Sequence, residues 1–454
     1  MLRKLSYSIA LIFSYALANG QSELTLGHLH SVYQASHINP AATPDHKVSF
    51  SFPGLLHSYY AGVTHTGFSY YDAERTRDTI SLTRIADKVR RHNFVYGGVN
   101  IDFLHLRVNV KGKYYVSAHI RDRIETRFAY PGDLVQLAVY GNGAYLGEKI
   151  DLSGLSLQAQ HYREFALGFA KEADKSPLSY GVRLKLLQGL ANVSTRAKDL
   201  ALTTESDMYA LSGSSDGVLN TSLPVNLDED SDDEDFKVAD YLTNFRNKGV
   251  GLDVGASYKL SERLIVSGAL NNIGFITWKD NPRNYKINGS ASFSGIDISD
   301  EITEDESSID FENYLDSLGE SFAYTESSDK YTTWLIPQLY LTAGYSLARG
   351  TDMFGTIYLE KFNRVRPAFS IALSQKVGKF FQGVISYSYQ YGSFKNIGLG
   401  LVVKPGPIQF YLATDNLLGL ADPLGARSVN ARFGINIVLG KKRSPLQQPT
   451  PEDL

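Results

Sequence analysis

The chain has 454 residues, 43% hydrophobic and 20% charged, with a net charge of -3 at pH 7. That composition fits a folded protein and supplies no global field to attract nucleic acid. Cysteine is absent, which excludes disulfides, thiolate catalysis and cysteine-ligated zinc, and no apolar run reaches the roughly 18 residues of a membrane helix.

The first residues read as a secretory signal spanning 1–20. Arg3 and Lys4 form a charged start, 8–18 is a short apolar run, and Ala18-Asn19-Gly20 supplies small residues for cleavage before Gln21. Residues 21–44 show no period and end in the turn-like Asn39-Pro40-Ala41. Strands then begin. Val48, Phe50 and Phe52 alternate ahead of a Pro53-Gly54 turn, and 57–71 is long and aromatic-rich. In 72–93, Ile80, Leu82, Ile85 and Val89 share one face of an expected helix.

Residues 94–110 and 114–128 are expected to form a hairpin across Lys111-Gly112-Lys113. In 114–128 one alternate set is Tyr115, Ser117, His119, Arg121, Arg123, Glu125 and Arg127; the other is mostly apolar, broken by Asp122. A strand places such sets on opposite faces. The stretch exceeds an ordinary strand of about 5–6 residues and suits a tilted strand crossing a bilayer. Facing lipid, each arginine would cost roughly 2–4 kcal/mol near the midplane. Together they rival a domain's net stability of about 5–15 kcal/mol. The charged face is therefore expected to line a lumen, joined by Arg183 and Lys185 from a strand at 180–196. The predicted lumen-lining set is Arg121, Arg123, Glu125, Arg127, Arg183 and Lys185. Asp122 is expected near an interface.

Residues 130–156 interrupt the strands, with a short helix at 133–138. Strands resume at 157–170, 180–196, 250–259, 264–279, 285–293, 334–347, 356–360, 368–375, 380–391, 397–403, 408–414 and 429–439. Connections at 259–262, 376–379 and 404–407 are tight, whereas 212–248, 297–330 and 416–427 are long. Short inner turns and long outer loops are the habit of outer-membrane barrels. The alternation holds from the C-terminus back to about residue 330 and fails before it, which leaves roughly 14 strands, give or take two.

The acidic runs 228–235 and 300–310 lack calcium-loop spacing and read as solvated loops. All ten histidines fall at or before His161 without ligand spacing. Nucleophile-elbow, zinc-protease and phosphate-loop motifs are missing, so the chain reads as no enzyme, with no cofactor and no metal.

Several short stretches together resemble a family. They are Asn39-Pro40-Ala41, Phe52-Pro53-Gly54, Gly67-Phe68-Ser69-Tyr70, Tyr140-Gly141-Asn142, residues 181–192 (GVRLKLLQGLAN), Gly274-Phe275-Ile276 with Trp278-Lys279, residues 410–418 (FYLATDNLL) and residues 426–440 (ARSVNARFGINIVLG). The chain resembles the Bacteroidetes outer-membrane barrels described only as a domain of unknown function. Those are similar in architecture to FadL-type transporters and to the PorV and PorP/SprF group. The resemblance implies a single barrel with its N-terminal segment folded into the lumen, and no particular substrate.

The expected fold is all-β: a transmembrane antiparallel β-barrel of about 14 strands, with an N-terminal plug segment and short helices in its loops. The expected organisation is a signal peptide (1–20), a plug (21–44) turned by Asn39, Pro40 and Ala41, a barrel (45–440) and a C-terminal tail (441–454). The expected location is the cell outer membrane. The expected function is passage of a small hydrophobic solute. The alternative is a docking barrel for a secretion or assembly partner. Expected partners are outer-membrane lipid, a hydrophobic small molecule, or other outer-membrane or periplasmic proteins, with no nucleic acid. A soluble propeller is disfavoured because no repeat of about 40–50 residues occurs.

Overall fold

A computed structural model describes residues 23–51, 58–69, 71, 74–76, 79–174, 176–205, 211–224, 237–293 and 324–441. The expected signal peptide, the Pro53-Gly54 turn, the acidic runs at 228–235 and 300–310, and the tail after residue 441 lie outside the described residues.

The strands, in chain order, are β1 (His46–Ser51), β2 (Ser58–His65), β3 (Glu74–Thr76), β4 (Thr79–Ile80), β5 (His92–Val110), β6 (Tyr114–Pro131), β7 (Lys149–Asp151) and β8 (Ser156–Lys171). They continue as β9 (Leu178–Thr204), β10 (Leu211–Ser222), β11 (Asn247–Lys259), β12 (Leu264–Trp278), β13 (Pro282–Phe293), β14 (Tyr324–Ser327), β15 (Tyr331–Trp334) and β16 (Gln338–Ala348). The last are β17 (Thr351–Phe362), β18 (Arg364–Val377), β19 (Phe381–Gln390), β20 (Ser393–Val403), β21 (Ile408–Thr414) and β22 (Ser428–Lys441). Short helices occupy connections: α1 (Leu82–Lys88), α2 (Gly132–Tyr140), α3 (Val238–Thr243) and α4 (Leu417–Ala421).

All of these strands except β3 and β4, which pair only with each other, close into an antiparallel barrel of 14 wall positions. β1 and β2 share the first position, since both pair with β5 on one side and β22 on the other. Four further positions are interrupted strands, and in the first of them β7 and β8 follow one another along β9. β10 and β11 follow one another along β9, β12 and β13 along β11 and β10, and β14, β15 and β16 along β13 and β12. This explains why alternation of short and long connections fails in the sequence. The stretch 285–293 is the far end of the strand that begins at Leu264, and Ser58–His65 continues the strand that begins at His46. Counting each as separate adds two strands.

One end of the barrel carries tight turns and the other carries most of the long connections. At the tight-turn end Lys111 and Gly112 both take positive φ, the backbone of a two-stranded turn. Two connections at the opposite end are also tight: a single residue, Asn363, between β17 and β18, and Tyr391-Gly392 between β19 and β20. The expected helix over 72–93 is reduced to α1. The expected loop at 212–248 begins with β10, a polar strand rich in serine and glycine.

Alternation decides the two faces. Phe369, Ile371 and Leu373 of β18 point outward and are exposed, while Ala368, Ser370, Ala372 and Ser374 between them are buried. A continuous apolar exterior around a closed sheet satisfies every ladder bond internally, which a bilayer demands of a spanning structure. Asp122 sits on that exterior in a bidentate pair with Arg163 (2.5 and 2.8 Å). The α3 connection folds over both: Arg163 donates to the Leu242 carbonyl and Tyr241 bonds His161.

Candidate functional site

A barrel of 14 strands is wider than the roughly eight-stranded barrels that side chains alone can fill. Here the N-terminal segment occupies the lumen. It descends from Glu23 as two 3-10 turns, Leu26–His28 and Tyr33–His37, and its side chains are almost entirely buried. The segment is two-faced. Leu24, Leu26, Leu29, Val32, Ala35 and Ile38 pack on one side of the wall, against Tyr340, Phe354, Ala372, Val384, Val402 and Tyr411. That side is built from small inward residues. A side chain at Gly400 would press on Leu29, and one at Gly398 would overlap Thr25.

Elsewhere along its length the segment meets polar groups of the wall. Asp415 accepts from the backbone N–H of Leu24 (3.2 Å) and Thr25 (2.7 Å). The Tyr33 hydroxyl bonds His119 (3.0 Å), and its ring stacks on His105 with centroids 4.2 Å apart. Arg183 donates to the Ser36 carbonyl (2.8 Å), and Asn271 to the carbonyls of His37 (3.2 Å) and Ile38 (2.8 Å). Asn39 accepts from Ala41 N–H (2.9 Å), which shapes the Asn39-Pro40-Ala41 turn. There the backbone runs so close to the wall that a side chain at Gly181 would strike the Pro40 carbonyl, and one at Gly255 would strike Asn39.

All six residues of the expected lumen-lining set point inward and are buried. Five belong to one chain of contacts. Glu360 pairs with Arg127 (3.1 Å), Arg127 with Glu125 (2.8 Å), Glu125 with Arg123, and Arg123 with Glu164 (3.1 Å). Glu164 pairs with Lys185 (3.4 Å), and Asp253 then joins Lys185 (2.9 Å) to Arg183 (3.1 Å). Four cations meet four carboxylates. Arg121 belongs to a second chain, in which Asp102 joins it to Arg432 (3.3 Å) and Arg432 pairs with Glu23 of the N-terminal segment. Two cations meet two carboxylates. Buried charge of this kind is tolerated only when each member has partners.

The sequence reading missed the carboxylates Asp102, Glu164, Asp253 and Glu360, and it missed Arg432. An inward arginine requires an inward carboxylate, so counting charges by face along β5, β8, β11, β17 and β22 would have found them.

Toward the long-loop end the lumen changes character. Phe94, Tyr96, Phe362 and Tyr391 cluster with Ile336, and Tyr162, Leu187, Ile276 and Trp278 cluster with Leu335. Leu335 and Ile336 lie in the break between β15 and β16, where the chain turns inward. The Leu335 N–H bonds the Gly274 carbonyl (2.9 Å). Between this apolar layer and the segment lies a cavity of about 30 Å³ lined by Glu23, Tyr96, Arg123 and Lys185 among others, room for one or two waters. Of the stretch 130–156, expected to interrupt the strands, residues 132–155 lie at the long-loop end, with α2 against α1 and mostly outside the core.

The closed sheet, apolar exterior and filled lumen define a transmembrane β-barrel. The chain belongs to a family of unknown function, DUF5723, whose pattern matches residues 40–415. No curated protein matches it in sequence. Among solved structures it is similar to the toluene transporter TodX of P. putida, at 10% identity over 89% of this chain and 94% of that one, with a TM-score of 0.42. It is also similar to the toluene transporter TbuX of Ralstonia pickettii (8% identity, 90% and 95% covered, TM-score 0.41). A Pseudomonas aeruginosa FadL homologue is a third such structure (10% identity, 92% and 98% covered, TM-score 0.39).

Proposed function

We propose that this barrel passes a small hydrophobic solute across the outer membrane, with the N-terminal segment as the plug that must yield. In this reading the long-loop end faces outward, following the habit of such barrels. The observation that carries it is the apolar layer of aromatic rings and Leu335-Ile336 at that end of the lumen. Inward positions of a wide barrel are ordinarily polar, so an apolar lining there fits an apolar cargo. The ion-paired floor beneath it provides register for the plug and no catalytic constellation.

Trp278 lies in the apolar layer and Trp334 points outward, and the chain holds only these two tryptophans. In a Trp334→Phe variant, Trp278 alone reports. Nitrobenzene added to proteoliposomes is expected to quench it saturably, at concentrations where quenching by partition into lipid is still linear. Quenching that stays linear, with no passage of the compound into the vesicles, would sink the solute reading. The docking role then takes its place, supported by one feature: β9, β10, β13 and β14 continue the wall beyond its other strands as a polar sheet.

A further inference from the structure

Seven cationic side chains are buried in the lumen among the described residues: Arg107, Arg121, Arg123, Arg127, Arg183, Lys185 and Arg432. Six are accounted for by the two chains of ion pairs. Among the described residues Arg107 has no carboxylate within ion-pair distance. One Nη donates to the Ala42 carbonyl (2.9 Å), and its guanidinium lies 4.4 Å from the ring centre of Tyr115. Its other Nη is buried without a hydrogen-bond partner, as is Nε of Arg183. Both arginines line one small cavity, of about 10 Å³, together with Ser36 and Pro40 of the N-terminal segment and Ser117 of β6.

A guanidinium stays charged in proteins, and leaving it buried and unpaired is strongly destabilising. A carbonyl and an aromatic ring satisfy some of its donors but not its charge. The other buried carboxylates are engaged elsewhere. Asp415 holds the segment's Leu24 and Thr25 amides, and Asp122 holds Arg163 on the exterior.

We propose that Arg107 and Arg183 bind one small inorganic anion, of chloride size, in this cavity. The volume is about that of a single water, which excludes a carboxylate-bearing solute or a phosphate. The hydroxyls of Ser36 and Ser117 stand at its edge as further donors. The anion would complete the clasp on the segment, because the same two arginines already grip its backbone at Ser36 and Ala42. The site is separate from the apolar layer and does not depend on what the barrel transports.

The direct test is a crystal of the intact protein grown or soaked in sodium bromide, with data collected at the bromine edge. An anomalous peak between Arg107 and Arg183 is expected, and none there in an Arg107→Met variant. The second measurement needs no crystal. In detergent at constant ionic strength, with gluconate replaced stepwise by bromide, the unfolding midpoint should rise with the logarithm of bromide concentration once the site fills. That rise should vanish in Arg107→Met. Bromide peaks confined to exposed lysines, or a midpoint indifferent to the exchange in the native protein, would overturn the proposal. A water would then complete the guanidinium. If Arg107→Met fails to fold, the native crystal and native titration still decide.

Discussion

Removing residues 21–38 should turn a silent barrel into a conducting one. Eight of the hydrogen bonds that tie the N-terminal segment to the wall run from Leu24 and Thr25 to Asp415, Ser31 Oγ to Gln382, Gln382 to His28, Tyr33 to His119, Arg183 to Ser36, and Asn271 to His37 and Ile38. At about 0.5–1.5 kcal/mol net each they contribute roughly 4–12 kcal/mol. Burial of Leu24, Leu26, Leu29 and Val32 adds about 1.5–3 kcal/mol per side chain. The chain entropy regained on withdrawal offsets part of this. A net remainder of only about 5 kcal/mol would still hold the open fraction on the order of 10⁻⁴. Single-channel recording in planar bilayers should therefore show rare openings for the intact protein and steady conductance for the trimmed one. The inward turn at Leu335-Ile336 remains after trimming, so adding Ile336→Gly should raise the conductance again. A trimmed barrel that folds, by its heat-modifiable gel mobility, yet stays as silent as the intact one would refute the reasoning. So would a large steady conductance in the intact protein.

Asp102→Asn leaves Arg121 without its carboxylate while Arg432 keeps Glu23; destabilisation of about 3–5 kcal/mol is expected in a urea titration. Gly181→Val should push the Asn39-Pro40-Ala41 turn off the wall, reproducing part of the conductance of the trimmed barrel while the barrel itself still folds. Acidification should loosen the plug. Burial pushes the His28 imidazole down to about 3, with His30 adding to the effect, so the docked segment needs His28 neutral. That contribution is complete above about 6.5 and is lost as pH falls toward 3, at up to about 1.4 kcal/mol per pH unit. His37 is lowered in the same direction, chiefly by burial and then by Arg121. Asp415 opposes them: burial pushes its carboxyl up to about 6, so its stabilising share is full below about 4 and lost as pH rises through 6. Two histidines outweigh one carboxyl, and opening frequency should rise between pH 7 and pH 5. His28→Asn should weaken that rise, and Asp415→Asn should steepen it.

Period two was legible in the sequence because a barrel strand writes its two environments into alternate residues. Tyr115 through Arg127 on one face, and Phe369, Ile371 and Leu373 on another, declare lumen and lipid without any tertiary information. The Lys111-Gly112 turn was equally local. Strand count was legible as about 14 and no more closely, because a wall position interrupted by a loop, as at β12 and β13, looks in one dimension like two strands. The asymmetry of the lumen was also hidden. Gly181, Gly255, Gly398 and Gly400 read as weak strand residues, yet they are the positions where the N-terminal segment approaches the wall. Partners in the ion chains lie up to 409 residues apart, as with Glu23 and Arg432. The sequence by itself determined which side chains face inward, since that follows from local alternation. Only closure of the sheet decided which of them meet, because a buried charge takes whatever partner the barrel's register brings within reach.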